Sequence, residues 1–219
     1  MNDPNSYRKL DFSDVRLYAV TPEPTDTVSL LDKIEKLLVG GVDVIQLRSK
    51  TLKDRALVAL GKEIKARCAR TGALFIINNR VDIALAVDAD GVHIGHNDLP
   101  VSFVRGLLGH RKLIGVSTHS LPEAIDAQRN GADYVSCGPV WATPTKPEYN
   151  PVGLGLIGLY KAALRVPFVV IGGIDSSNID AIVEAGGKTV ATVRSFFDAP
   201  NPENLAREFK EKMEGKIWH

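Results

Sequence analysis

Short apolar runs alternate with longer amphipathic stretches along the chain. Eight runs, Arg16–Val20, Val42–Leu47, Leu74–Ile77, Gly91–Ile94, Leu113–Val116, Tyr134–Cys137, Phe168–Ile171 and Thr189–Val193, are rich in Val and Ile and apolar at consecutive positions. A strand buried on both faces has this composition, as a parallel sheet covered by helices requires. Between the runs, Val28–Val39 places Leu30, Leu31, Ile34, Leu37 and Leu38 at helical spacing. Lys53–Arg70 does the same with Leu57, Leu60 and Ile64, and Pro122–Asn130, Ser176–Ala185 and Pro202–Met213 follow. Shorter helices are predicted after Arg80, closing over Leu85–Val87, and at Val101–Leu108. Gly40, Gly72, Gly131 and Gly186 stand where helices are expected to end in a left-handed cap.

Eight strand–helix units without a break in composition predict an α/β protein, a single (β/α)8 TIM barrel over residues 1–219, with residues 1–12 expected as a loosely ordered extension. An open doubly wound sheet is the competing architecture. It calls for a glycine fingerprint after the first strand, where this chain has Thr21-Pro22-Glu23-Pro24.

Composition narrows the function. The 27 basic and 26 acidic residues leave a net charge of +1, with no basic excess pointing to nucleic acid or an anionic membrane. Any preference for anions must come from local placement of charge. Cys68 and Cys137 match no metal or redox spacing and are expected to be buried thiols in a reducing compartment. Residues 1–11 lack the apolar core of a signal peptide, and no apolar run approaches the ~18 residues of a membrane span. The expectation is a cytoplasmic protein, with a homo-oligomer left open.

Active sites in such barrels lie at the C-terminal ends of the strands. The second predicted strand runs into Gln46, Arg48 and Lys50, the third into Asn78, Asn79 and Arg80, the fourth into His93, His96 and Asp98, and the fifth into Ser117, Thr118 and His119. Arg48 and Lys50 alternate with Leu47 and Ser49, so both are able to face the barrel mouth, where a guanidinium fork and an ammonium suit phosphate oxygens. A solvated strand end with two surface charges is the alternative. Gly172-Gly173, the helix expected from Asp175 or Ser176, and the residues after the eighth strand form the place where many barrels bind phosphate. A tight turn needing positive φ is the alternative there. The loop from Gly138 to Gly153 carries Thr143, Thr145 and Lys146, two hydroxyls and an ammonium stiffened by prolines and able to donate to an anion. A disordered loop is the alternative. Asp98 is either a Mg²⁺ ligand or the N-cap of the helix near Val101.

These segments together resemble the thiamine phosphate synthase family, from about Arg16 to Lys212. The carrying segments are Gln46-Leu47-Arg48-Ser49-Lys50, Ile77-Asn78-Asn79-Arg80-Val81-Asp82, Ala89-Asp90-Gly91-Val92-His93-Ile94-Gly95 and Gly115-Val116-Ser117. Further along come Gly131-Ala132-Asp133-Tyr134, Gly138-Pro139-Val140 with Thr143-Pro144-Thr145-Lys146, Ile171-Gly172-Gly173-Ile174 and Val193-Arg194. The resemblance implies two phosphorylated small-molecule substrates, a hydroxymethylpyrimidine diphosphate and a thiazole phosphate, joined with Mg²⁺ assistance and release of diphosphate. It implies that Gln46, Leu47, Arg48, Ser49, Lys50, Asn78, Ser117 and Lys146 contact the pyrimidine diphosphate. Of these, Arg48, Lys50, Lys146 and Ser117 would carry the catalysis. Thr143, Pro144, Thr145, Gly173, Val193 and Arg194 would hold the thiazole phosphate, and Asp98 and Asn79 the metal.

Two positions depart from the family pattern. Asn79 stands where the family usually has an aspartate ligand, which predicts a weaker Mg²⁺ site. Arg194 stands where many members have serine, and an arginine still suits phosphate. Two other functions compete. A thiazole tautomerase-like isomerase on a similar barrel would use His119, although synthases carry that histidine too. A non-catalytic ligand-binding barrel would explain Asn79 but not the joint presence of Arg48, Lys50, Asp98 and Lys146.

Overall fold

The computed structural model describes residues 12–95, 98–145 and 149–215. Eight parallel strands close into a barrel: β1 (Leu17–Val20), β2 (Val44–Leu47), β3 (Leu74–Asn78), β4 (Gly91–Ile94), β5 (Leu113–Thr118), β6 (Tyr134–Cys137), β7 (Phe168–Ile171) and β8 (Val190–Thr192). Each pairs with its sequence neighbours, and β8 returns to β1 with Leu17 opposite Val190 and Ala19 opposite Thr192. The outer helices are α1 (Thr27–Val39), α2 (Asp54–Thr71), α3 (Val81–Ala86), α4 (Val101–Leu108), α5 (Leu121–Arg129), α6 (Gly155–Ala163), α7 (Ile179–Glu184), α8 (Arg194–Phe197) and α9 (Pro202–Met213). None of the described helices is long and apolar enough to cross a membrane.

Several expectations need correction. Gly40, expected as a left-handed cap, has φ of −72°, and the next residue, Gly41, takes the positive φ of 93°. The helix expected from Ser176 begins only at Ile179. Asp175 Oδ1 accepts from Ser177 N–H and Oγ at 2.8 and 2.5 Å, and Asn178 Oδ1 accepts from Asp175 N–H at 2.9 Å, so side chains take the donors a helix would need. Helix α6 was not legible because Gly155 and Gly158 dilute its pattern; Ile157 and Tyr160 bury its inner face. The loose extension expected over 1–12 does not include Phe12, which is 3% exposed and stacks on Tyr134 with ring centroids 4.0 Å apart. The remainder of that stretch lies outside the described residues.

The two-residue period of the strands divides the core in two. Leu17, Ala19, Ile45, Leu47, Phe75, Ile77, Val92, Ile94, Val135 and Val170 pack against the helices. Tyr18, Val20, Val44, Ile76, Leu113, Tyr134, Val169 and Ala191 join Phe12 and Val15 in a separate inner cluster that fills the barrel. Room for Tyr134 comes from Gly115, where an added Cβ would lie 2.1 Å from the Tyr134 ring and 2.5 Å from His93 Nδ1.

A repeated device fixes the N-terminal ends of the strands. Asp43 Oδ2 accepts from the N–H groups of Arg16 and Leu17 at 2.8 and 2.9 Å, while Lys210 meets Oδ1 at 2.5 Å. Asp90 accepts from Phe75 N–H at 2.8 Å and pairs with Lys65 at 2.6 Å. Asp133 accepts from Ile114 N–H at 2.8 Å and pairs with Arg105 at 2.5 Å. Each aspartate precedes an even-numbered strand, caps the odd-numbered strand before it and draws a cation from an outer helix. The bottom of the barrel is thereby locked, and its upper rim is left to carry chemistry.

Candidate active site

A cavity of about 570 Å³ opens at the C-terminal ends of the strands. Its floor is the upper layer of inward-facing residues: Val20, Gln46, Asn78, His93, Ser117, Ser136, Ile171 and Val193. Its walls are the loops that follow. The same alternation that turns Gln46 inward carries Arg48 and Lys50 to the cavity wall. Among the described residues, neither side chain has a hydrogen bond or ion pair, so both charges remain available to an anion.

Leu47 and Ser49 do not line this cavity, and their expected substrate contact is corrected for the side chains. Leu47 is 1% exposed and lies in the helix–strand layer. Ser49 Oγ donates to Glu23 Oε1 at 2.5 Å. Asn78, Asn79, Asp98, Ser117, Thr143, Pro144, Thr145, Gly173, Val193 and Arg194 all line the cavity. Lys146, with Pro147 and Glu148, and His96 lie outside the described residues.

The floor contains a hydrogen-bonded chain that crosses the barrel. Gln46 Nε2 donates to Tyr18 Oη at 2.6 Å, and Tyr18 Oη lies 3.0 Å from Tyr134 Oη. Tyr134 Oη is 3.2 Å from His93 Nδ1, and His93 Nε2 is 3.1 Å from Ser117 Oγ. Burial pushes both phenols above their ordinary range, so the hydroxyls stay protonated. The Ser117–His93 contact has the reach of a nucleophile–base pair, but the other ring nitrogen meets a phenol rather than a carboxylate. Tyr18 and Tyr134 were not legible as site residues, since either would read as a core aromatic.

On the far wall, Gly172 and Gly173 have φ of 107° and 66°. A Cβ at Gly172 would lie 2.4 Å from Pro139, and one at Gly173 would lie 2.9 Å from Ala142 O. The glycines thus satisfy two demands, a left-handed turn and close packing beneath the β6 loop. Val140 and Trp141 donate to the carbonyls of Ile171 and Gly172 at 2.9 and 3.2 Å, which extends the β6–β7 register upward and carries Thr143–Thr145 over the cavity. Beyond β8 the chain enters α8 at once, and Ser195 Oγ donates to Ile174 O, joining the loops that follow β7 and β8. Thr192 also lines the cavity; it is 4% exposed, and among the described residues its hydroxyl has no partner.

Asp98 accepts from Gly95 N–H at 2.6 Å. It is not an N-cap, because Pro100 holds that position of α4 and no side chain caps the helix. Asn79, also on the cavity wall, has φ of 61°, a left-handed conformation that asparagine tolerates. His119 is fixed by Gly138 O, 2.5 Å from Nδ1, and its ring lies 4.4 Å from that of Tyr149.

A closed (β/α)8 barrel with a cationic, hydroxyl-rich cavity at its strand ends defines an enzyme of the phosphate-handling barrel class. The family described as thiamine monophosphate synthase matches residues 17–196. The chain is 45% identical to the thiamine-phosphate synthase of Chlorobium luteolum over 198 residues, covering 90% of this chain and 92% of that one. It is 43% identical to the thiamine-phosphate synthase of Gloeobacter violaceus, of which it spans 57%. A solved structure of thiamine phosphate pyrophosphorylase from Pyrococcus furiosus superposes with a TM-score of 0.84 at 29% identity, covering 93% of this chain and 98% of that one. The chain belongs to the thiamine monophosphate synthase family.

Proposed function

We propose that this protein joins a hydroxymethylpyrimidine diphosphate to a thiazole phosphate, giving thiamine phosphate and diphosphate. The observation that carries the reading is that Arg48 and Lys50, whose side chains have no partner among the described residues, line one cavity together with Gly173, Val193 and Arg194 of the loops after β7 and β8. Two anion-binding walls suit a reaction in which one phosphorylated group leaves and another positions the nucleophile.

The C–O bond to diphosphate breaks first, and its electron pair departs with the diphosphate. The aminopyrimidine stabilises the cation left behind, and the lone pair of the thiazole nitrogen forms the new C–N bond. Arg48, Lys50 and Lys146 neutralise charge as it develops on the leaving group. Gln46, Asn78 and Ser117 orient the pyrimidine. Thr143, Pro144, Thr145, Gly173, Val193 and Arg194 hold the thiazole phosphate, so that its nitrogen meets the cation in line. The Ser117–His93 pair needs no nucleophilic role in such a reaction.

The cavity wall also suits Mg²⁺. Asp98 offers a carboxylate with one oxygen engaged by Gly95, and Asn79 offers an amide oxygen. Mg²⁺ takes one or two carboxylates together with substrate phosphates and water, so this donor set fits a metal that arrives with substrate. When bound, it would add positive charge at the leaving diphosphate. The buried free thiols Cys68 and Cys137 support a cytoplasmic setting.

Incubation with both phosphorylated substrates and Mg²⁺ tests the reading. Thiamine phosphate and diphosphate are expected in equal amounts. Isomerised thiazole alone would favour the His119 isomerase, and no product from folded protein would overturn both.

A further inference from the structure

The extension of β1, Thr21–Pro24, passes beside the loop that carries Arg48 and Lys50, and none of its residues lines the cavity. Its side chains face the loop instead. Glu23 Oε1 accepts from Ser49 Oγ at 2.5 Å, Thr51 Oγ1 at 2.6 Å and Thr51 N–H at 3.2 Å, while Oε2 accepts from Lys50 N–H at 2.9 Å. Ser49 Oγ in turn accepts from Leu52 N–H at 3.0 Å. Two residues earlier, Thr21 Oγ1 accepts from Arg48 N–H at 3.0 Å and lies 3.3 Å from Arg48 O, and Thr21 N–H donates to Gln46 O at 2.9 Å.

We propose that Thr21 and Glu23 are positioning residues, a template that holds the Arg48–Lys50 loop in the conformation that receives the diphosphate. The inference rests on the synthase reading only for the identity of that anion.

Three features support it. The template grips backbone and hydroxyl donors, so among the described residues it leaves both cationic heads unpaired. Pro22 and Pro24 flank Glu23, fixing their own φ angles and stiffening the extension. The carboxylate also stays ionised near neutral pH: burial pushes its pKa up, but the donors from Ser49, Thr51 and Lys50 outweigh that and hold it at about 2. A carboxylate beside two phosphate-binding cations would ordinarily compete with the ligand, and here its oxygens are occupied by neutral donors.

The test uses the full chain and four variants, Glu23→Gln, Glu23→Ala, Thr21→Val and Thr21→Ser. KM for each substrate and the affinity for inorganic diphosphate are measured beside the melting temperature. In Glu23→Gln and Thr21→Val, the pyrimidine diphosphate KM and the inorganic diphosphate Kd should rise about ten- to hundredfold, the loss typical of a displaced binding group. The thiazole phosphate KM should stay within about twofold. Thr21→Ser keeps the hydroxyl and should restore the native values. An equal rise in both KM values, or diphosphate affinity unchanged in folded Glu23→Gln, overturns the proposal. If Glu23→Ala does not fold, the isosteric Glu23→Gln and Thr21→Val decide. A wild-type protein that binds diphosphate but makes no thiamine phosphate would reject the synthase reading alone.

Discussion

His93 Nε2 lies 3.1 Å from Ser117 Oγ, joining β4 to β5 at the floor of the cavity. The contact ends a chain that begins at Gln46 on β2 and passes through Tyr18 and Tyr134. Two residues assigned to the pyrimidine diphosphate are thus held in one network across the barrel. Such a network fixes side-chain orientation, and a missing member leaves a buried polar group exposed to the cost of lost partners.

Tyr134→Phe removes the hydroxyl shared by Tyr18 and His93. The loss corresponds to about 1–3 kcal/mol, so melting should fall by about 2–12 °C. The pyrimidine diphosphate KM should rise while the thiazole phosphate KM holds. Calorimetry and steady-state kinetics check this, and unchanged melting would mean that the network contributes little.

Asn79→Asp adds a charge to the cavity wall that also carries Asp98, where Mg²⁺ is proposed to bind. The Mg²⁺ concentration at half-maximal activity should fall several-fold. A titration in which it stays the same or rises contradicts the assignment of Asn79 beside Asp98.

The three aspartates beneath the barrel separate stability from activity. Asp90→Ala leaves Phe75 N–H and the Lys65 ammonium unpaired at a site where Asp90 is only 17% exposed. Urea unfolding should show a loss of about 2–3 kcal/mol with KM values unaltered. Asp198→Ala breaks the ion pair with Arg194, in which both side chains are 63% exposed, and should cost less than about 1 kcal/mol.

Burial pushes the thiols of Cys68 and Cys137 up to about 12. Both are therefore neutral at pH 8, and neither should be alkylated by iodoacetamide until the protein unfolds. Mass spectrometry with and without denaturant reads this directly; modification of the native protein would contradict their burial.

The barrel was legible because its strands are apolar at consecutive positions and its long helices are not. The same two-residue period that marks Arg48 and Lys50 for the cavity turns Leu47 and Ser49 away from it, and reading the segment as one motif obscured that. Asp98 remained ambiguous because an N-cap and a cavity carboxylate look alike in sequence; Pro100 at the cap position resolves it. Tyr18, Tyr134 and His93 could not be joined beforehand, since their contacts exist only once the barrel closes. Gly115 is the trace they leave in the sequence, because any side chain there would occupy the place of the Tyr134 ring. Glu23 carries no signal of its own in the sequence, because its partners lie on a distant segment, the one that carries Arg48 and Lys50.

The proposed reaction requires two anion sites on the rim, each with its own task. The most direct measurement is the pair of KM values, one per substrate, in Arg48→Ala and in Arg194→Ala. Arg48→Ala should weaken the pyrimidine diphosphate about tenfold or more, the value of a charge-assisted contact, and spare the thiazole phosphate; Arg194→Ala should do the reverse. If either variant raises both constants alike, or the two effects are exchanged, the division of the rim is wrong.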